Sequence, residues 1–373
     1  MRSLPAGRSS PSPSQKGKND RRGFHHLSGR GVFLSKPLIF PPVKISAVGT
    51  YVPERVMTND ELSLSLDTSD EWISSRSGIR ERHIAENGQA ASDMGAIAAR
   101  RALAAAEASP GDIDLIIVAS LSPDMIFPPT ASFISGAIGA NGTPAFDLSA
   151  ACTGFIYALA AGSSFIASGQ AERVLVVGAE AVSKMIDWAD RSTAVLFGDG
   201  AGAVLLEPAS GEGEGIIGFD LGNDPEGADL LDLPAGGSRL PASRETIENR
   251  LHFLKMNGRE VFKFATRIIV SSARKVLAEH GLRVEDVDLF VPHQANIRII
   301  DTAARKLGIP PERVFSNLER YGNTSCASIP LCLDEAAAAG RLGGGSLALM
   351  VGFGAGLSWG SCLARFDELK RAT

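Results

Sequence analysis

Cysteine, aromatic side chains and long apolar runs are all scarce in this chain of 373 residues. Its four cysteines (Cys152, Cys326, Cys332 and Cys362) stand at no metal-ligand spacing, which argues against a disulfide framework and a zinc site and points to a reducing compartment. Gly, Ser or charge interrupts every apolar stretch before the roughly 20 residues a membrane helix needs, so membrane insertion is not expected. With 44% hydrophobic residues, the chain can still bury a large core in one or two domains.

The net charge of -5 is unevenly spread. Residues 1–42 carry eight Lys or Arg and one acid, which leaves the body with 29 basic and 41 acidic residues. This arm is rich in Ser, Pro, Gly and Arg and has little to bury, so a disordered basic extension is expected. Three readings of it stay open: an organelle transit peptide, a nucleic-acid-binding arm, or an upstream extension without a role. Its few aromatic residues (Phe24, Phe33 and Phe40) make no regular aromatic-basic pattern, which argues against nucleic acid, and it lacks the apolar core of a secretory signal. A cytoplasmic protein is expected, or one of a plastid or other organelle if the arm is cleaved.

Beyond the arm, "AAEASPGDIDLIIVAS" (105–120) resembles "AEHGLRVEDVDLFVPHQ" (278–294), and "RVLVVGAE" (173–180) resembles "LALMVGFG" (347–354). Asp114 to Asp288 and Gly178 to Gly352 span the same 174 positions. A shared offset points to a duplicated unit. In "NGREVFKFATRIIVSSARKVLAEHG", Val261, Ala265, Ile268, Ile269, Ala273, Val276 and Leu277 recur at helical spacing, and Gly281 ends the run. Strands such as "DLIIVAS" and "VLVVG" are apolar on both faces, as strands covered by helices on both sides must be. The expected fold is α/β, with two similar halves at 43–212 and 213–373, each a mixed sheet with outer helices, packed around shared central helices.

Cys152 follows "FDLSAA" and opens a helical run over 153–168, where unpaired N–H groups and the helix dipole favour a thiolate. A buried, inert cysteine is the alternative for that residue alone. The same offset carries position 152 to Cys326. His293 in "DLFVPHQAN" falls just past a strand's carboxyl end, where open α/β sheets place ligands, and Asn323 in "RYGNTSCASIP" lies in a loop entering a helix. Cys, His and Asn at the ends of equivalent elements can converge on one nucleophilic site.

The stretches "DTSDEWISSRSGIRERHIA", "DLSAACTGFIYAL", "FGDGAGAVLL", "VPHQANIRII", "GNTSCASIP" and "GFGAGLSWGS" resemble, in uninterrupted order from about Val43 onward, β-ketoacyl-acyl-carrier-protein synthase III, a condensing enzyme of thiolase-like fold. The resemblance implies a layered α-β-α-β-α architecture and a decarboxylative Claisen condensation that starts fatty-acid synthesis. Acetyl-CoA or another short acyl-CoA would acylate Cys152, and malonyl-acyl carrier protein would then give 3-ketoacyl-acyl carrier protein, CoA and CO2. It further implies that the backbone N–H groups of Cys152 and Ala355 hold the acyl oxygen, while His293 and Asn323 serve the malonyl thioester. At Ala355 the resemblance leads one to expect glycine, a change a backbone donor survives unless φ is positive.

For CoA the resemblance implies Trp72 and Arg191 around the adenine, Arg76 near the phosphates, and Gly258, Phe262, Ala295 and Asn296 along the pantetheine tunnel. Trp72 and Arg76 are four residues apart, one helical turn. Arg298, Arg305 and Lys306 are expected on one helical face as a dock for an acidic carrier protein. Phe127 would reach into a partner subunit's acyl pocket, implying a homodimer. Cys326, Cys332 and Cys362 are read as structural, and neither metal nor cofactor is expected. A thiolase would need a second cysteine in "GFGAGLSWG", and a papain-type hydrolase a "C-G-S-C-W" neighbourhood; both are missing. The remaining alternatives are a secondary-metabolic relative acting on a longer acyl donor and a non-catalytic dimer partner.

Overall fold

Burial along the strands sets the architecture. In the computed structural model, which describes residues 42–209, 211 and 213–372, every residue of the strand Leu115–Ala119 is buried. Leu115, Ile117 and Ala119 join one apolar cluster while Ile116 and Val118 join another. Such alternation is what a pleated strand with two covered faces requires. The strand Ser346–Gly354 repeats it: Ala348 and Met350 enter the first cluster, and Leu347, Leu349 and Val351 enter a third. Two sheets therefore share a central layer. The helices Gly154–Ala167 and Ser328–Ala338 fill that layer through Phe155, Ile156, Leu159, Ile329 and Leu333. The helix Ala91–Ala106 covers the outer face of the first sheet, and Gly258–Glu279 with Ile297–Leu307 covers that of the second. The result is the expected α-β-α-β-α order.

From edge to edge, the first sheet runs Lys370–Arg371, Val43–Tyr51, Gly200–Pro208, Val174–Glu180, Leu115–Ala119, Ala145–Leu148. The second runs Gly215–Asn223, Ser358–Phe366, Ser346–Gly354, Leu289–Pro292. Four strands of each match in order and direction. Leu115 pairs in parallel with Val174, and Leu289 with Ala348, each residue displaced by the same 174 positions. The duplication inferred from sequence is thus a duplication of register. The boundary at residue 212 separates the sheets but not the fold, because Lys370–Arg371 returns to pair with Val43–Tyr51 of the first sheet. The anticipated extension lies, Pro42 apart, outside the described residues.

The helix Gly258–Glu279 shows how sequence fixes an element. The Asn257 side chain caps its start by accepting from the Glu260 N–H, and Val261, Ala265, Ile269, Ala273, Val276 and Leu277 form its buried stripe. It ends just before Gly281, whose φ of 67° breaks the helical course. Among the described residues, no helix is long and apolar enough to cross a membrane.

Candidate active site

After the strand Ala145–Leu148 the chain bends through a tight turn, Ala151–Thr153, before the helix begins at Gly154. Ala151 adopts a φ of 46°, unusual for a residue with a Cβ. Cys152 sits in this turn at 5% exposure, and the helix begins at Gly154, one residue later than the expected 153. The expectation of a resting thiolate is therefore corrected. Burial pushes the Cys152 thiol up to about 12; the Ser325 hydroxyl opposes that rise, Glu180 adds a smaller contribution to it, and the Cys152 N–H opposes it least. The resting form is the thiol.

Gly354 packs directly on this turn: a Cβ there would stand 2.7 Å from the Cys152 nitrogen. The next residue, Ala355, lines an apolar pocket of about 110 Å³ together with Cys152, Leu121, Met185, Phe197, Leu231 and Leu254. Its φ is not among the positive values, so its methyl group introduces no strain, and its N–H meets no backbone carbonyl among the described residues.

His293 follows the strand Leu289–Pro292 and donates its N–H to Val351 at 2.8 Å. Burial holds its imidazole down at about 3, hence neutral. Its Nδ1 lies 2.7 Å from the Ser328 hydroxyl, which also accepts from the Gln294 N–H at 3.4 Å. With Ser328 donating to Nδ1, the proton sits on Nε2, and that nitrogen becomes a donor. The Phe353 ring meets the imidazole edge-on at 5.6 Å. Asn323 is fixed in a complementary way: its Oδ1 accepts from the Ser325 N–H at 2.9 Å, which leaves its NH2 group free to donate. Its own N–H bonds Leu196 and its carbonyl accepts from Gly198. Behind that segment the fully buried Arg82 donates to the carbonyls of Val195 and Met57 and to Asn59.

Cys152, His293 and Asn323 line one cavity of about 150 Å³, together with Gly258, Phe262, Ala295 and Asn296. The structure thus brings together the three residues singled out for chemistry and the four given to the tunnel wall. Asn296 also has local duties: it caps Arg298 and donates to the Arg76 carbonyl at 3.1 Å. At the surface, the Arg76 and Arg191 guanidinium groups lie 4.5 and 4.7 Å from the Trp72 ring centre, so Arg191 stacks on the indole itself. Phe127 is 81% exposed beside Ile126 at 79%, away from this chain's own cavity. Arg298, Arg305 and Lys306 are exposed on the helix Ile297–Leu307. Lys306 leans off the face of the other two to reach the Thr266 carbonyl, and Arg267 and Arg274 extend the patch. Ser325, Ser328 and Arg82 were not singled out from sequence, although each lies within a motif that carried the resemblance.

Residues 146–225 match the family model for 3-oxoacyl-[acyl-carrier-protein (ACP)] synthase III, and residues 277–366 match that for its C-terminal part. The chain is 53% identical over 327 residues to the β-ketoacyl-[acyl-carrier-protein] synthase III of Symbiobacterium thermophilum, covering 88% of this chain and 99% of that one. The crystal structure of 3-oxoacyl-[acyl-carrier-protein] synthase III from Aquifex aeolicus VF5 superposes with a TM-score of 0.80 at 45% identity, over 87% of this chain and 100% of that one. The priming β-ketosynthase of the R1128 polyketide biosynthetic pathway superposes with a TM-score of 0.82 at 39% identity, over 90% and 98% of the two chains.

Proposed function

The chain belongs to the 3-oxoacyl-[acyl-carrier-protein] synthase III family of condensing acyltransferases, which initiate fatty-acid synthesis, and on that premise we propose how its residues carry the reaction. The observation that supports the reading is the convergence of Cys152, His293 and Asn323 on one cavity, with the Asn323 amide free to donate and the His293 Nδ1 engaged by Ser328.

In the first half-reaction the Cys152 sulfur attacks the thioester carbon of a short acyl-CoA. The C–S bond forms, the carbonyl oxygen takes up negative charge between the N–H groups of Cys152 and Ala355, and the collapse expels the CoA sulfur. The thiol proton ends on CoA, so the exchange is proton-neutral overall. In the second, malonyl-acyl carrier protein loses CO2, and the resulting enolate oxygen is held by the His293 Nε2–H and the Asn323 NH2. The enolate carbon attacks the acyl-Cys152 carbonyl, and the departing thiolate takes a proton from solvent. A neutral imidazole suits this role because it donates without needing to be charged.

The apolar pocket of about 110 Å³ beside Cys152 favours a short primer such as acetyl. The similarity to a priming β-ketosynthase supports a second reading, in which a different or longer acyl group is the primer. Trp72, Arg76 and Arg191 are assigned to CoA, and the unpaired Arg298 and Arg305 to an acidic carrier protein; neither forms an ion pair among the described residues. Exposed Ile126 and Phe127 support a homodimer in which Phe127 closes the partner's pocket. A cytoplasmic site of action and the lack of any cofactor beyond the thioester substrates belong to the same proposal. The test is product analysis with acetyl-CoA and malonyl-acyl carrier protein: a 3-ketoacyl product that vanishes in Cys152→Ala supports the assignment, and product formation by Cys152→Ala would end it.

A further inference from the structure

The duplicated fold contains the nucleophile turn twice. Ala151–Thr153 has its counterpart in Ser325–Ala327, and Ala151 and Ser325 both hold the left-handed conformation, at φ of 46° and 49°. The second turn is closed to substrate anions, because a carboxylate of the protein already occupies it. Glu180 accepts the Cys326 N–H at 3.3 Å, and is itself held by the Ser122 hydroxyl at 2.6 Å and by the N–H groups of Leu121 and Ser122 at 3.2 Å. The Cys326 thiol instead reaches across the pseudo-two-fold axis, with its sulfur 2.9 Å from the Ala151 carbonyl oxygen.

That carbonyl belongs to the same planar peptide unit as the Cys152 N–H. A donor on the carbonyl fixes the direction of the N–H at the other end and polarises it. Backbone packs closely around the second turn. A Cβ on Gly154 would stand 2.9 Å from the Cys326 sulfur, and a Cβ on Gly178 would stand 2.5 Å from the Cys326 carbonyl, so glycines clamp this turn from two sides. Burial also holds the Cys326 thiol protonated, as a donor must be. We propose that Cys326 is a positioning residue for acyl transfer: its S–H, donating to Ala151, aims and polarises the Cys152 N–H that receives the developing acyl oxyanion. The proposal rests on the reading of Cys152 as the acylated nucleophile.

The test compares wild type, Cys326→Ala and Cys326→Ser in two assays: the rate of acetyl transfer from acetyl-CoA to Cys152, followed by intact mass, and the release of CO2 from malonyl-acyl carrier protein. Loss of one hydrogen bond to the oxyanion donor is expected to slow acetyl transfer about fivefold in Cys326→Ala. Cys326→Ser, which keeps a donor, should recover most of that rate, and CO2 release should stay at the wild-type level in both. Wild-type acetyl transfer by Cys326→Ala would overturn the proposal. So would an equal fall in both assays, which marks general loosening of the site. Failure of the wild type itself to accept an acetyl group would instead refute the nucleophile assignment, and the role of Cys326 would fall with it.

Discussion

Two opposing influences meet at Cys152, and burial wins over the hydrogen bonds that would favour its thiolate. The adjacent His293 is held neutral by the same cause. At rest the site is thus an uncharged pair. The two half-reactions should separate by residue. Asn323→Ala is expected to keep acetyl transfer to Cys152 within about twofold of wild type but to lose condensation by roughly a hundredfold or more, as removal of an oxyanion donor does. Intact mass and product formation read the two steps independently. A pH dependence also follows. An imidazole held at about 3, against an ordinary 6.5, binds fewer protons folded than unfolded between those values. Its contribution to stability is complete above pH 6.5 and is lost as pH falls toward 3. Urea unfolding at pH 7 and pH 4 should show a larger loss for wild type than for His293→Gln.

At the scale of elements, the strand ends and turns do the positioning. Gly354 has no room for a methyl group, since a Cβ would press on the Cys152 nitrogen at 2.7 Å. Gly354→Ala is expected to cost about 1–3 kcal/mol of stability through overpacking and to slow acetyl transfer by at least tenfold, checked by thermal unfolding and intact mass. Much of this arrangement was legible beforehand. The shared 174-residue offset announced the duplicated sheets, and the motif order brought Cys152, His293 and Asn323 forward. What stayed hidden were effects of the third dimension. Helical spacing placed Cys152 just ahead of a helix but could not show that the turn holding it is buried. Ser328 and Arg82 act through contacts 35 and 113 residues away in sequence, which no local pattern encodes. Cys326 looked inert because its partner, the Ala151 carbonyl, comes from the other half of the fold.

Over the whole molecule, charge and exposure divide the surface by task. The body is acidic, yet Arg298, Arg305, Lys306, Arg267 and Arg274 are all exposed on the two helices, Gly258–Glu279 and Ile297–Leu307, that contribute Gly258, Phe262 and Ile299 to the cavity wall. Reversing Arg298 and Arg305 to Glu should raise the KM for malonyl-acyl carrier protein about tenfold or more, with a weakened salt dependence, and leave acetyl-CoA turnover onto Cys152 unchanged. The exposed Ile126 and Phe127 mark a second surface, and sedimentation of Phe127→Asp should show a shift from dimer toward monomer. Formation of a Cys152 acyl-enzyme from a short thioester can be read by intact mass after separate mixing with acetyl-CoA, isobutyryl-CoA and octanoyl-CoA. One acetyl adduct is expected on wild type, none on Cys152→Ala, and little or no octanoyl adduct. An acetyl adduct that persists in Cys152→Ala, or a wild type that no thioester modifies, would contradict an acyl-enzyme at Cys152.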